Sequence, residues 1–179
     1  RWHADTNSFH MPFGEITITS DDVLFLTRLP ITGRAVVSSI VPKAMDASEL
    51  ANLFGISDKE AEDGIGAPRG SSVSLDWLMT QFSGWVESEH QWQVESAARA
   101  YMLFTFGCAM FPDETGHRVS LAWIEFIRDL DEMKTYAWGA AVLACLYRQL
   151  GVASVRTTRQ MCGYMTLLEV RISLSLSVI

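Results

Sequence analysis

Between Phe111 and Arg148 the sequence writes out a turn and two successive helices in one run, which restricts the chain to architectures that bury helices side by side. Phe111-Pro112-Asp113-Glu114-Thr115-Gly116-His117-Arg118-Val119 places Pro, Asp and Gly at turn spacing. Ser120 then suits an N-cap for a helix carrying Leu121, Ile124 and Ile127. Met133, Tyr136, Ala137, Ala140, Ala144, Tyr147 and Leu150 recur every three or four residues and line a second helix, where Gly139, Ala140, Ala141 and Ala144 admit a close neighbour.

The same period runs through much of the remainder. Ser74 caps a helix with Leu75, Leu78, Met79, Phe82 and Trp85 on one side, and Glu89 to Met110 forms the longest helix, lined by Val94, Ala97, Tyr101, Phe104 and Cys108. Shorter helices follow Ser20-Asp21-Asp22, through Val23, Leu26 and Thr27 to the stop at Pro30, and Ala47, ending near Gly55. Ser57-Asp58-Lys59-Glu60 has capping-box spacing, but Glu60 to Ser72, with three Gly and a Pro, reads as an exposed mobile loop. Thr157 or Thr158 opens a last helix through Leu167 and Leu168. Period two appears twice. Gly14 to Thr19 pairs with Ser8 to Met11 across Pro12-Phe13-Gly14 as a small hairpin, and Arg171 to Ile179 alternates Ser with apolar residues and reads as a strand. The fold expected is mainly α: a single helical domain of six or seven helices with a small N-terminal β-hairpin.

Composition supports a packed core. Apolar residues make up 49% of the 179 positions and charged residues 20%, with six Trp and nine Phe. The net charge of −7 argues against direct nucleic-acid binding, which draws affinity from clustered Lys and Arg. Cys108, Cys145 and Cys162 are odd in number and set in apolar stretches, so buried reduced thiols in a reducing compartment are expected. No basic segment leading into an apolar one opens the chain, and no apolar run is long enough to span a bilayer, so neither secretion nor membrane insertion is expected.

Residues that do chemistry are present but scattered. His3, His10, His90 and His117 lack metal-ligand spacing, although His3 and His10 can approach across the hairpin. The chain has no Gly-x-Ser-x-Gly elbow, and Gly64-Ile65-Gly66-Ala67-Pro68-Arg69-Gly70 has the wrong spacing for a phosphate loop. Asp113, Glu114, Asp129, Asp131 and Glu132 concentrate carboxylates, yet Asp113 suits an Asx turn and Asp131 suits capping the next helix. Trp123, Tyr136, Trp138 and Tyr147 suit core positions better than a ligand cage, the same holds for Trp2, Trp77, Trp85 and Trp92, and exposed members of this set would mark a partner surface.

Four segments, Arg1-Trp2-His3 to Thr19, Leu29-Pro30-Ile31-Thr32-Gly33-Arg34, Phe111 to Ile124 and Asp129 to Arg148, together resemble the plant mobile domain family in residues and in order. The resemblance, which takes in the MAIN and MAIN-like group, places a plant mobile domain over residues 1–168, lacking the family's usual N-terminal part, with an atypical tail over 169–179 that points to a truncated member. It implies a non-catalytic, nuclear protein-interaction domain with roles in meristem maintenance, genome stability and transposon silencing. The partner it implies is a phosphatase-like protein of the phosphoprotein-phosphatase family. The family's other label, aminotransferase-like, implies pyridoxal phosphate, but Lys43, Lys59 and Lys134 lack a cofactor context, so no cofactor, metal or catalytic residue is expected. The structural and interaction residues expected are Trp2, Phe9, Pro12, Gly14, Phe111, Pro112, Gly116, Trp138, Gly139 and Tyr147. An alternative is a transposon-derived fragment related to a transposase accessory or nucleic-acid-binding domain, with Arg148, Arg156 and Arg159 on phosphates. A third is an enzyme using converging carboxylates near Asp113 and Asp129.

Overall fold

A computed structural model describes residues 1–37, 44–113, 115–155 and 162–176, the last three without their side chains. In chain order the elements are β1 (Trp2–His3), β2 (Ser8–Met11), β3 (Gly14–Ile16), α1 (Ser20–Thr27), β4 (Met45–Asp46), α2 (Ala47–Phe54), α3 (Asp58–Ile65), β5 (Arg69–Gly70), β6 (Ser72–Ser74), α4 (Leu75–Phe82), α5 (Gln91–Thr105), β7 (Arg118–Ser120), α6 (Ile124–Ile127), α7 (Leu130–Met133), α8 (Trp138–Ala153) and α9 (Met165–Leu176). The chain is mainly α-helical, as expected, and carries small antiparallel sheets, of which only the N-terminal hairpin was anticipated. Nine α-helices among the described residues exceed the six or seven anticipated because α3 occupies part of the expected loop and α7 is a separate single turn. These elements gather into two compact units, one built from 1–36 with 135–179 and one from 37–134.

In the first unit the N-terminal hairpin gains a strand: β1 pairs Trp2 with Phe9, and β2 pairs Phe9 with Ile16 and Met11 with Gly14. A capping box holds the start of α1, but its cap is Thr19 rather than Ser20: Thr19 Oγ1 accepts from the Asp22 amide, and Asp22 Oδ2 accepts from the Thr19 amide at 2.8 Å. The buried face of α8 is Trp138, Gly139, Val142, Leu143, Leu146 and Leu150, a different line from the one expected, and Ala144 is exposed. The cause is where the helix begins. α7 ends at Met133, Tyr136 and Ala137 are buried in the connection, and α8 starts afresh at Trp138, so residues before the break do not set its rotation.

The tail departs most from its pattern. Arg171 to Leu176 continue α9 from Met165 instead of forming a strand. Leu167 and Leu168 are buried on this helix, and Arg171 reaches Asp22 at 3.1 Å, so burial and an ion pair outweigh the local alternation. Thr157 and Thr158, expected at its start, and residues 177–179 lie outside the described residues.

The second unit is organised by α5. Its buried line is Ser96, Ala97, Ala100 and Leu103, continued by Phe106, Gly107 and Met110 in a π-helical turn, where the Phe111 amide donates to the Phe106 carbonyl at 2.7 Å. Of the stripe read from the sequence, only Ala97 is buried, and Tyr101 and Cys108 are exposed. Small residues at 96, 97 and 100 bring neighbouring elements close, and Tyr101 is turned outward. Leu50 and Phe54 from α2, Leu78 and Phe82 from α4, and Ile124 and Ile127 from α6 complete the core, each such burial contributing roughly 1.5–3 kcal/mol.

The segment from Glu60 to Ser72 is not a free loop. The Ser57–Glu60 capping box opens α3, which buries Ala61, Gly64 and Ile65 before Gly66 ends it in the left-handed region. Arg118 fastens the stretch from Ile65 to Ser72: its Nε donates to Ser72 Oγ at 2.8 Å, and its Nη2 donates to the Ile65 and Ser72 carbonyls at 2.7 and 2.8 Å. β6 and β7 then pair Val73 with Val119, both shielded from solvent.

Candidate functional site

Three of the residues singled out in the sequence meet in the first unit. Trp2 is buried edge-on against Phe9, with ring centres 4.9 Å apart, and tilted against Tyr147 at 5.5 Å. The Tyr147 hydroxyl donates to the Ile18 carbonyl and lies 3.1 Å from Thr17 Oγ1, which ties α8 to the end of the hairpin. Pro12 and Phe13 form the exposed turn, and Gly14, with φ of 135°, takes a backbone conformation that side-chain-bearing residues rarely adopt. His3 and His10 stack at 3.9 Å, and His10 Nε2 lies 3.2 Å from Glu15 Oε1.

Trp138 and Gly139 serve a second junction of the same unit. The Gly139 amide donates to the Pro30 carbonyl at 2.8 Å, and a Cβ at 139 would lie only 3.0 Å from the Leu29 carbonyl oxygen. Arg34 exchanges backbone hydrogen bonds with Thr135 and Ala137, and its guanidinium covers the Tyr136 ring at 4.7 Å. Trp138 is buried with its ring 5.9 Å from Tyr136. These contacts explain why Leu29 to Arg34 and Tyr136 to Gly139 belong together.

Phe111, Pro112 and Gly116 belong to the second unit. Phe111 stacks on Trp123 at 4.2 Å, and Gly116 sits in the turn with φ of 67°. Asp113 Oδ1 closes that turn by accepting from the amides of Thr115 and Gly116 at 3.0 and 2.7 Å. Asp129, not Asp131, caps α7, accepting from the Glu132 and Asp131 amides, which hold its carboxyl below the usual range. Both carboxylates are thus engaged locally.

The other reactive groups are equally constrained. Cys108 is exposed, against expectation, on the same face as exposed Tyr101, yet desolvation still pushes its thiol up. Cys145 is half-buried and is also pushed up, chiefly by desolvation, while Cys162 is buried. Lys59 is exposed, and Lys134 pairs with Asp131 at 2.7 Å on the surface, neither offering the enclosed setting a Schiff-base lysine requires. No group of three or more His, Cys, Asp or Glu that could hold a metal occurs among the described residues, and none of their helices is long and apolar enough to cross a membrane. Lys43, Glu114, Arg156 and Arg159 lie outside the described residues, so the Arg cluster has only Arg148 within them.

The surface feature that the periodicity concealed lies between α4 and α5. Leu78, Phe82, Ala97 and Ala100 floor an open apolar groove of about 280 Å³, rimmed by Met79, Val86 and Tyr101. Met79 is 44% exposed, Val86 65% and Tyr101 67%, so three large side chains remain unburied around the groove. Trp92, half-exposed, packs edge-on against Trp85 at 5.4 Å and covers Gly55, extending the aromatic surface from the start of α5. Reading Met79 and Tyr101 as core hid this surface. The available signal was the small-residue line Ser96, Ala97 and Ala100, which already supplies α5 with a buried face.

The fold and these sites define a mainly α-helical domain in which Trp2, Phe9, Tyr147, Phe111 and Trp138 pack, Gly139 admits a close approach, and Gly14 and Gly116 form turns. The family model described as plant mobile domain matches residues 1–174, and the chain belongs to that family. Its relatives in Arabidopsis thaliana include Protein MAIN-LIKE 1, 38% identical over 169 residues that make up 94% of this chain and 33% of that protein. Protein MAINTENANCE OF MERISTEMS is 34% identical over 170 residues, 94% of this chain and 34% of that one. A Serine/threonine-protein phosphatase 7 long form homolog is 36% identical over 169 residues, 94% of this chain and 12% of that protein. The chain therefore spans about a third or less of these relatives. No solved structure matches.

Proposed function

We propose that this chain is a non-catalytic protein-interaction domain acting in the nucleus, with a phosphatase-like protein of the phosphoprotein-phosphatase family as its partner. The observation that carries the reading is the open apolar groove between α4 and α5, because exposed Met, Tyr and Trp beside a preformed cleft suit a partner's side chains. The local engagement of Asp113 and Asp129 and the raised thiols of Cys108 and Cys145 favour binding over catalysis. The phosphatase partner is suggested by a relative named as a phosphatase homolog, in which a stretch like this chain makes up 12% of the length. The name of the relative MAINTENANCE OF MERISTEMS suggests meristem maintenance as the process, and genome stability and transposon silencing belong to the same reading.

The test is purification of the tagged chain from plant nuclei beside a Met79→Asp/Tyr101→Asp variant, followed by direct binding of each to the purified phosphatase-like protein. Both substitutions fall on exposed side chains, so the core is untouched. Capture and direct binding by the wild type but not the variant are expected. Failure of the wild type to bind any phosphatase-like protein refutes the reading, and equal binding by the variant removes the groove from it.

A further inference from the structure

The groove lies in an unevenly charged chain. Residues 37–134 carry sixteen Asp and Glu against seven Lys and Arg, a net charge of −9, while the remaining residues carry five against seven, a net of +2. The asymmetry persists beside the groove. Asp76 precedes Met79 by one turn of α4, and Glu87 and Glu89 follow directly on Val86 at the rim. All three are exposed. Glu95 forms an ion pair with Arg99, the cation of α5, at 3.6 Å, and the Arg99 side chain is only 16% exposed, so it offers the groove little compensating charge.

We infer that the groove receives an amphipathic helix with basic flanks. The inference rests on the interaction reading above and specifies the partner's chemistry. A cleft between two helices accepts a third helix whose apolar residues recur at i, i+3, i+4 and i+7. At about 280 Å³, apolar and open to solvent, it suits a few side chains presented from a helix. Met79, unbranched and polarizable, can adapt to those side chains. The apolar rim supplies contact area, and Asp76, Glu87 and Glu89 select Lys or Arg at the edges while repelling an acidic helix.

Two synthetic helical peptides test this, with the same Leu and Phe stripe but Lys on the polar face of one and Glu on that of the other. Binding to the whole chain is followed by fluorescence anisotropy, and the Met79 methyl signal by NMR. The Lys peptide should bind, shift the Met79 methyl and weaken as salt rises to about 0.5 M. Met79→Asp/Tyr101→Asp and the separate Val86→Asp should each weaken it about tenfold. Glu87→Lys with Glu89→Lys should shift preference towards the Glu peptide. Equal affinity for both peptides, or Lys-peptide binding insensitive to the groove variants, overturns the inference. If the wild type, but not the variant, binds a phosphatase-like protein while neither peptide binds, the interaction reading stands and the basic-helix occupant is excluded.

Discussion

Gly107 offers a sharp test of how α5 is packed. It lies in the π-helical turn, where an added Cβ would sit 2.6 Å from Val119 Cβ and 2.7 Å from Leu75 Cδ2. Carbon atoms normally approach to about 3.5–4.0 Å, so the overlap is about 1 Å. Val119 cannot turn aside, because its Cβ is fixed to the backbone of β7, which pairs with β6 through Val73. Gly107→Ala must therefore move the strand or the helical turn. Overpacking of this kind costs about 1–3 kcal/mol, and the severity of the overlap places it at the upper end. The helix-propensity gain on replacing Gly by Ala offsets up to about 1 kcal/mol, leaving a net loss of about 2 kcal/mol. In a chain of this length that lowers Tm by roughly 4–8 °C. Gly84 is the control, since nothing lies within 4 Å of an added Cβ and its φ is ordinary. Gly84→Ala should be neutral or stabilising by up to about 1 kcal/mol through a less flexible unfolded chain. Urea unfolding of the two variants with unchanged slope is the assay. Equal midpoints for Gly107→Ala and Gly84→Ala refute the close approach of α5 to β7.

Burial raises the Asp22 carboxyl, but hydrogen bonds from Thr19 and the charge of Arg171 outweigh it and leave the group below its ordinary value of 3.8. Its contribution is thus present above that value and lost as pH falls through the lower folded one; Asp22→Asn should destabilise by about 1 kcal/mol at neutral pH and flatten the acid limb of stability against pH. Tyr147→Phe leaves the Ile18 carbonyl without this donor and should cost about 1–2 kcal/mol in denaturant unfolding. Trp2→Ala, by contrast with Tyr147→Phe, removes a buried ring packed on both Phe9 and Tyr147 and should cost about 3–5 kcal/mol in the same assay. In timed iodoacetamide labelling, exposed Cys108 should react before buried Cys162, with a rate that climbs only above the usual thiol range because desolvation raises its pKa.

Local signals were legible where the chain stops or turns. The capping box at Ser57, the turn of Asp113 and the hairpin around Gly14 depend on hydrogen bonds within a few residues, and the structure has them all. Rotations of the longer helices were not, because three- and four-residue spacing admits several faces when apolar residues are abundant. α5 could bury either Ala97-Ala100 or Ala97-Tyr101-Phe104, and close packing against small residues decided between them. The strand pattern of the tail failed for a related reason: alternation describes Arg171 onward, while burial of Leu167 and Leu168 and the Asp22–Arg171 pair act on the helix as a whole. The exposed groove of the proposed interaction domain could not be named in advance, since exposure of Met79 and Tyr101 is a property of helix rotation.

The first unit is assembled from both ends of the chain, whereas the second is continuous. Synthesis therefore delivers them out of phase. Ile18 emerges 129 residues ahead of Tyr147, the side chain that bonds its carbonyl, a delay of roughly 6–25 s at about 5–20 residues per second. During that interval the Trp2–Phe9 pair waits without its lid of α8, while residues 37–134 already hold every strand partner named for them. The order of birth is thus the inside piece first and the outer piece last, and a ribosome that stalls before α8 releases a chain whose hairpin has nothing to close upon.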